Sequence, residues 1–133
     1  MRQRLCVSVQ ERLAFGRCKQ RKRNGVIMKK IECIIRSEKL KDLTEGLLGV
    51  GMGGMTVSEV RGFGVQSIKP ESFLFVHKTK IEIYALDSQV NEILAIILKE
   101  CFSGKAGDGK VAVIPLDNCI RIRTKEKMDK AIA

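Results

Sequence analysis

Two arginines, Arg121 and Arg123, flank Ile122 near the C-terminus, and the glycine-rich run SGKAGDGK occupies residues 103–110 before them. In a strand the period of two turns both guanidinium groups to the same side. Two planar forks on one side suit a polyphosphate, although a solvated strand face fits the same spacing. Exposed amides at Gly107, Asp108 and Gly109, beside Lys110, can cradle an anion without a helix dipole. These are groups that bind, not groups that react. The sole histidine, His77, stands at a loop end with no carboxylate or serine placed to complete a nucleophile, base and acid set. No catalytic constellation is expected.

Two further glycine patterns are decoys. Gly49 to Gly54 satisfies GxGxxG, but it closes a helical pattern and opens a strand, whereas the dinucleotide fingerprint follows a strand and opens a helix. Gly104 and Gly109-Lys110 have phosphate-loop spacing, yet Val111 and a strand follow where a helix is needed. Five cysteines, at 6, 18, 33, 101 and 119, form no CxxC pair, and their odd number leaves one over in any disulfide scheme. Cys33 and Cys119 sit in apolar runs, where cysteine behaves as a small hydrophobe, and a reducing compartment is the default expectation.

The elements that position these residues follow from periodicity. The segment MKKIECIIR, from Met28, alternates Ile31, Cys33 and Ile35 on one side and predicts a strand. Ser37 is placed to cap a helix with Leu40, Leu43, Leu47 and Leu48 at helical spacing. MTVSEVRGF predicts a second strand, residues 65–77 with Pro70 predict a loop, and KTKIEIYAL predicts a third strand. Asp87 or Ser88 is placed to cap a helix through Val90, Ile93, Leu94, Ile97 and Cys101. VAVIPL is a fourth strand, followed by the apolar-basic segment NCIRIRT. The order βαββαβ is the ferredoxin-like α+β arrangement, an antiparallel sheet with both helices on one face. Apolar residues on both sides of the strands then predict burial of the second face against copies of the chain.

At 133 residues the chain accommodates one domain, so a multidomain enzyme is not expected. Its net charge of +10 is uneven. Residues 1–27 hold eight basic groups against Glu11 alone, +7, leaving +3 for residues 28–133 with 17 basic and 14 acidic groups. A phosphate footprint over the whole body is therefore not expected. The arginine-rich extension, residues 1–27, reads equally as an organelle transit peptide, a disordered arm, or sequence upstream of a start at Met28. No run of about 20 apolar residues is present, so membrane insertion is not expected.

The blocks MKKIECIIR, GGMTVSEVRGFG, KTKIEIY, SGKAGDGK and IRIRT, in this order over residues 28–133, resemble the PII nitrogen-regulatory signal proteins. VSEVRGFG is most similar to the cyanobacterial and plastid branch. The resemblance implies a homotrimer without enzymatic activity, in a plastid stroma or bacterial cytoplasm. It implies binding of ATP or ADP between subunits, sensing of 2-oxoglutarate with Mg2+ and ATP, and regulation of a target enzyme or transporter of nitrogen metabolism by contact. Position by position, Ile34, Thr56 and Tyr84 correspond to the adenine pocket. Gly62, Gly64 and Gln66 correspond to the loop base around the phosphates, with Gln66 meeting magnesium and 2-oxoglutarate. Lys78 corresponds to the lysine that pairs with a 2-oxoglutarate carboxylate. Gly107, Asp108, Gly109 and Lys110 correspond to the phosphate turn, and Arg121 and Arg123 to phosphate arginines reaching in from a neighbour.

The chain also departs from that pattern. Val65 replaces a phosphate-contacting arginine. The 65–77 loop is several residues short and lacks the YRGAEY-type segment with its modifiable tyrosine; Tyr84 belongs to a strand instead. The serine phosphorylation motif of the cyanobacterial branch is absent, with Ser67 and Ser72 weak substitutes, so no modification is expected. Two other classes share the element order. A nucleic-acid-binding module with a basic tail needs exposed aromatics on the central strands, which KKIECIIR and VAVIP do not supply. An acylphosphatase-like enzyme needs more than Asn118 beside Arg121.

Overall fold

In the computed structural model, residues 27–64, 68–69, 72–73 and 75–132 are described. The readings of residues 1–26 and of the loop positions Val65, Gln66 and Ser67 lie outside them.

The alternating apolar residues of Met28–Ile35 form strand β1, followed by a single 3-10 turn, Ser37–Lys39, and helix α1, Leu40–Gly49. Strand β2 is Thr56–Gly62, the two-residue strands β3 and β4 are Ile68–Lys69 and Ser72–Phe73, and strand β5 is Val76–Leu86. Helix α2, Asp87–Cys101, strand β6, Lys110–Leu116, and the short helix α3, Asp129–Ile132, complete the order. Four strands make one sheet in the order β2-β5-β1-β6, each neighbouring pair antiparallel, and β3 pairs with β4 separately. This is the ferredoxin-like arrangement expected from the sequence.

Period two explains the core. Ile31, Cys33 and Ile35 of β1 and Ile81, Ile83 and Ala85 of β5 are buried on the face that meets Leu43 and Leu47 of α1 and Val90, Ile93, Ile97 and Cys101 of α2. The helices approach closely at Gly46, where a Cβ would stand 2.9 Å from Cγ2 of Ile96. Thr79, a buried polar residue of this core, donates its hydroxyl to Oγ of Ser37 at 3.0 Å.

Four details differ from the sequence reading. Ser37 takes part in no cap of the helix; its oxygen is used by Thr79 and it lies inside the 3-10 turn. Helix α2 starts at Asp87 itself, and its cap comes from Gln89, whose Oε1 accepts from the Leu86 amide at 3.1 Å. The third strand begins at Val76, two residues early, because Val76 and His77 pair with Gly62 and Arg61 and extend the ladder past the periodic residues. Finally, the second sheet face is not apolar at its centre. Glu32 and Glu82 stand directly opposite each other, a like-charge arrangement that is unfavourable by itself. Lys30 pairs with both, as does Lys80, giving an ionic quartet. Bonding to Lys30 holds the Glu82 carboxyl below its ordinary range, and bonding to Glu82 holds Lys30 above its own. Exposed Ile34, Tyr84 and Ile114 surround the quartet on that face.

Candidate functional site

The antiparallel register gathers one end of the sheet: the C-terminal ends of β1 and β2 and the N-terminal ends of β5 and β6. Ile34 pairs with both Lys80 and Lys110, and Gly62 pairs with Val76. At that end the 103–110 turn leads from α2 into β6. Asp108 organises it. Its carboxylate accepts from the amides of Ser103, at 2.8 Å, and Gly104, at 3.0 Å, and from the Ser103 hydroxyl. Nε of Arg36 lies 3.2 Å from the same group, and Nη2 of Arg36 donates to the Ala106 carbonyl at 2.8 Å. The Ser103 bonds, reinforced by Arg36 and the Gly104 amide, hold the Asp108 carboxyl far below the ordinary carboxylate range. One carboxylate therefore satisfies four donors and fixes the turn's shape.

The turn's glycines are demanded by geometry. Gly104, Gly107 and Gly109 all have positive φ, 75°, 95° and 103°. A Cβ on Gly109 would stand 1.6 Å from the Ile34 carbonyl oxygen, so the turn lies directly on the backbone of β1. Nζ of Lys78 donates to the Gly107 carbonyl at 2.5 Å. Ile34, Lys78 and Gly107 to Lys110 are thus brought together within one chain. Gly62 and Gly64, exposed and with open space where a side chain would be, lie at the same end of the sheet. Thr56 is exposed opposite Glu82, and Tyr84 is exposed two residues further along β5 on the same face.

The arginine pair is placed differently from the expectation. Residues 121–123 are not a strand. Beyond β6 the chain makes a turn in which Ile120 bridges Lys127, the Arg121 amide donates to the Glu126 carbonyl and the Lys125 amide to the Arg121 carbonyl. The same-side geometry argued from period two does not apply. Half-buried Arg121 bonds Glu126 at 3.3 Å and the Ala131 carbonyl at 3.4 Å through its guanidinium, while Arg123 and Ile122 are exposed. The chain enters this segment after Leu116, which pairs with Met28 at the sheet end opposite Lys110. Those ends are separated by six residues of strand, about 20 Å.

Sequence reading gave no role to Arg36 or Ser103. The signal was a lone acidic residue inside a basic, glycine-rich turn, since Asp108 requires donors to hold it there.

The comparison with protein families decides the class: the profile of nitrogen regulatory protein P-II matches residues 28–126. The chain belongs to the P-II family. A P-II protein of Pasteurella multocida is 45% identical over 112 residues, spanning 79% of this chain and all of the relative. The P-II protein of Nostoc punctiforme is 42% identical, and the regulatory protein GlnK of Escherichia coli K12 is 40% identical, each with the same coverage. A crystal structure of Arabidopsis thaliana PII bound to citrate superposes with a TM-score of 0.69 at 36% identity, covering 79% of this chain and 89% of that one. The P-II family is one of nitrogen-regulatory signal proteins, and the relatives carry regulatory names. Among the described residues no helix is long and apolar enough to cross a membrane.

Proposed function

We propose that this chain is a P-II-type sensor that binds ATP or ADP at the 103–110 turn, responds to 2-oxoglutarate and acts on its targets by contact rather than by chemistry. The observation that carries the reading is the Gly109 cradle. A phosphate turn needs backbone amides brought close to the ligand without intervening side chains, and Gly107 to Lys110 offers that arrangement with a lysine at its exit. Ile34, at the contact with Gly109, is 37% exposed beside the turn and offers an apolar surface for a base.

The site is incomplete in one copy. Arg121 and Arg123 follow the far end of β6, which supports the proposal that their contribution to a phosphate beside the turn is made across a subunit boundary. This favours a homotrimer, with Thr56 and Tyr84 on the face turned towards the neighbour. Gln66 is the residue proposed for Mg2+ and, with Lys78, for 2-oxoglutarate; bound Mg2+ would neutralise phosphate charge. The citrate in the Arabidopsis relative supports effector binding of a small polycarboxylate in this family. Val65 removes one phosphate-directed charge, and the short loop carries no tyrosine for uridylylation, so the sensor is proposed to keep ligand binding while losing that modification. A nitrogen-metabolism enzyme or transporter is the proposed target. The plastid stroma or a bacterial cytoplasm is the proposed location.

The nucleic-acid reading is disfavoured because the exposed sheet face centres on the Lys30, Glu32, Lys80 and Glu82 quartet rather than on stacking aromatics. Light scattering at micromolar concentration tests the shared site: three copies per particle are expected, and a stable 14.9 kDa monomer that still binds ATP would overturn the role given to the neighbour's arginines.

A further inference from the structure

We propose that Cys33 and Cys101 together form a two-coordinate site for a soft monovalent cation of the copper(I) class. Cys33 lies on β1 and Cys101 is the last residue of α2, yet both are free, both are buried and both line one cavity of about 220 Å³ under the 103–110 turn. The remaining walls are mainly apolar, with Ile97, Phe102 and Val111 among them, and also include Asp108 and Lys110.

Ligand number and softness select the ion. Among the described residues no group of three histidine, cysteine or carboxylate side chains is arranged to hold a metal. Two thiolates alone do not make the four-ligand shell of a structural zinc or the six to eight oxygens of calcium. Paired soft thiolates suit copper(I). Burial, then the neighbouring Cys101 and Glu32, push the Cys33 thiol up to about 11. Burial raises the Cys101 thiol as well, with Lys39 opposing it and Glu100, Asp108 and Asp42 adding to it. Both groups are therefore protonated thiols near neutral pH, slow nucleophiles that become ligands only by exchanging protons for a cation.

The step balances without a redox partner. Two thiols and one copper(I) ion give a bis-thiolate complex of charge −1 and release two protons; Lys39 and Lys110 are nearby cations, set against the carboxylates of Glu32, Glu100, Asp108 and Asp42. Occupancy would join the end of β1 to the end of α2, the two supports from which the turn hangs through Ile34 and Ser103.

The test uses the full chain with Cys6→Ser, Cys18→Ser and Cys119→Ser, leaving the proposed pair. Copper(I) affinity is read anaerobically by competition with bicinchoninate from pH 6 to 8. Release of two protons gives an affinity rising about 100-fold per pH unit, against about tenfold for one thiol. Adding Cys33→Ala or Cys101→Ala is expected to weaken binding by more than about 100-fold, beyond the loss typical of an outer-shell partner. Independently of those variants, copper(I) should protect both thiols of the parent protein from iodoacetamide together. A tenfold pH slope, protection of one thiol only, or failure to compete at all would overturn the site.

Discussion

The carbonyl oxygen of Ile34 occupies the space that a side chain on Gly109 would need, 1.6 Å from the position of its Cβ. The proposed adenine-side strand and the proposed phosphate turn are therefore seated on one another, and neither moves without the other. Gly109→Ala must displace the turn from β1 and hold an L residue at φ 103°. Backbone strain of this kind costs about 1–3 kcal/mol. The variant is expected to lose at least that much stability in urea denaturation and to lose ATP binding; an unchanged midpoint with unchanged affinity would contradict the packing.

Asp108 gives the turn a pH dependence of definite sign. Its carboxyl is depressed in the folded protein by the Ser103 and Arg36 bonds, whereas in the unfolded chain it titrates near 3.9. The stabilisation is therefore complete above that unfolded value and is lost as pH falls through the lower folded one. Carboxyl NMR should show Asp108 still ionised below pH 3.9, and Asp108→Asn should flatten the acid limb of the stability curve. Titration at the ordinary aspartate value would contradict the four-donor arrangement.

The arginines should separate in mutagenesis. Arg123 is exposed, so Arg123→Ala is expected to weaken ATP by about 1.5–3 kcal/mol, the scale of a charge-assisted hydrogen bond, while leaving the melting temperature in place. Arg121 is tied to Glu126 and Ala131, so Arg121→Ala should also loosen the C-terminal turn, by about 1 kcal/mol for a half-exposed pair. Calorimetry and thermal denaturation read the two effects apart; equal behaviour of the two variants would contradict their different placement.

Legibility in the sequence followed the physics of each signal. The strands and helices were readable because Ile31, Cys33, Ile35, Ile81, Ile83 and Val90 to Cys101 repeat at two or at three to four residues, and burial on one face enforces those periods. Gly107 and Gly109 were readable as a turn because only glycine accepts its conformation cheaply. For residues 121–123 alternation is the sole cue, and it supports a same-side arginine pair only in a strand; backbone bonds to Glu126, invisible in composition, close a turn there instead. The ionic quartet was hidden as well, since its four charges meet only once β1 and β5 are in register. Arg36 escaped notice because its partner Asp108 is distant in sequence and is brought to it by the end of α2.

The loop offers a test in the opposite direction, where loss is expected. With no tyrosine between residues 65 and 77 and Tyr84 held in β5, incubation with a uridylyltransferase and labelled UTP should leave the chain unlabelled. Incorporated label would contradict the proposal that this modification has been lost.

The most direct measurement of the sensor reading is ATP calorimetry with Mg2+, in the presence and absence of 2-oxoglutarate. Lys78 already contacts the turn through Gly107, so a dicarboxylate bound there and a nucleotide on the turn share one structural element. Coupled sites of this kind change affinity by about 5–150-fold. The expected result is tighter ATP binding when 2-oxoglutarate is added, with the effect removed by Lys78→Ala; ATP affinity that is the same with and without 2-oxoglutarate would contradict it.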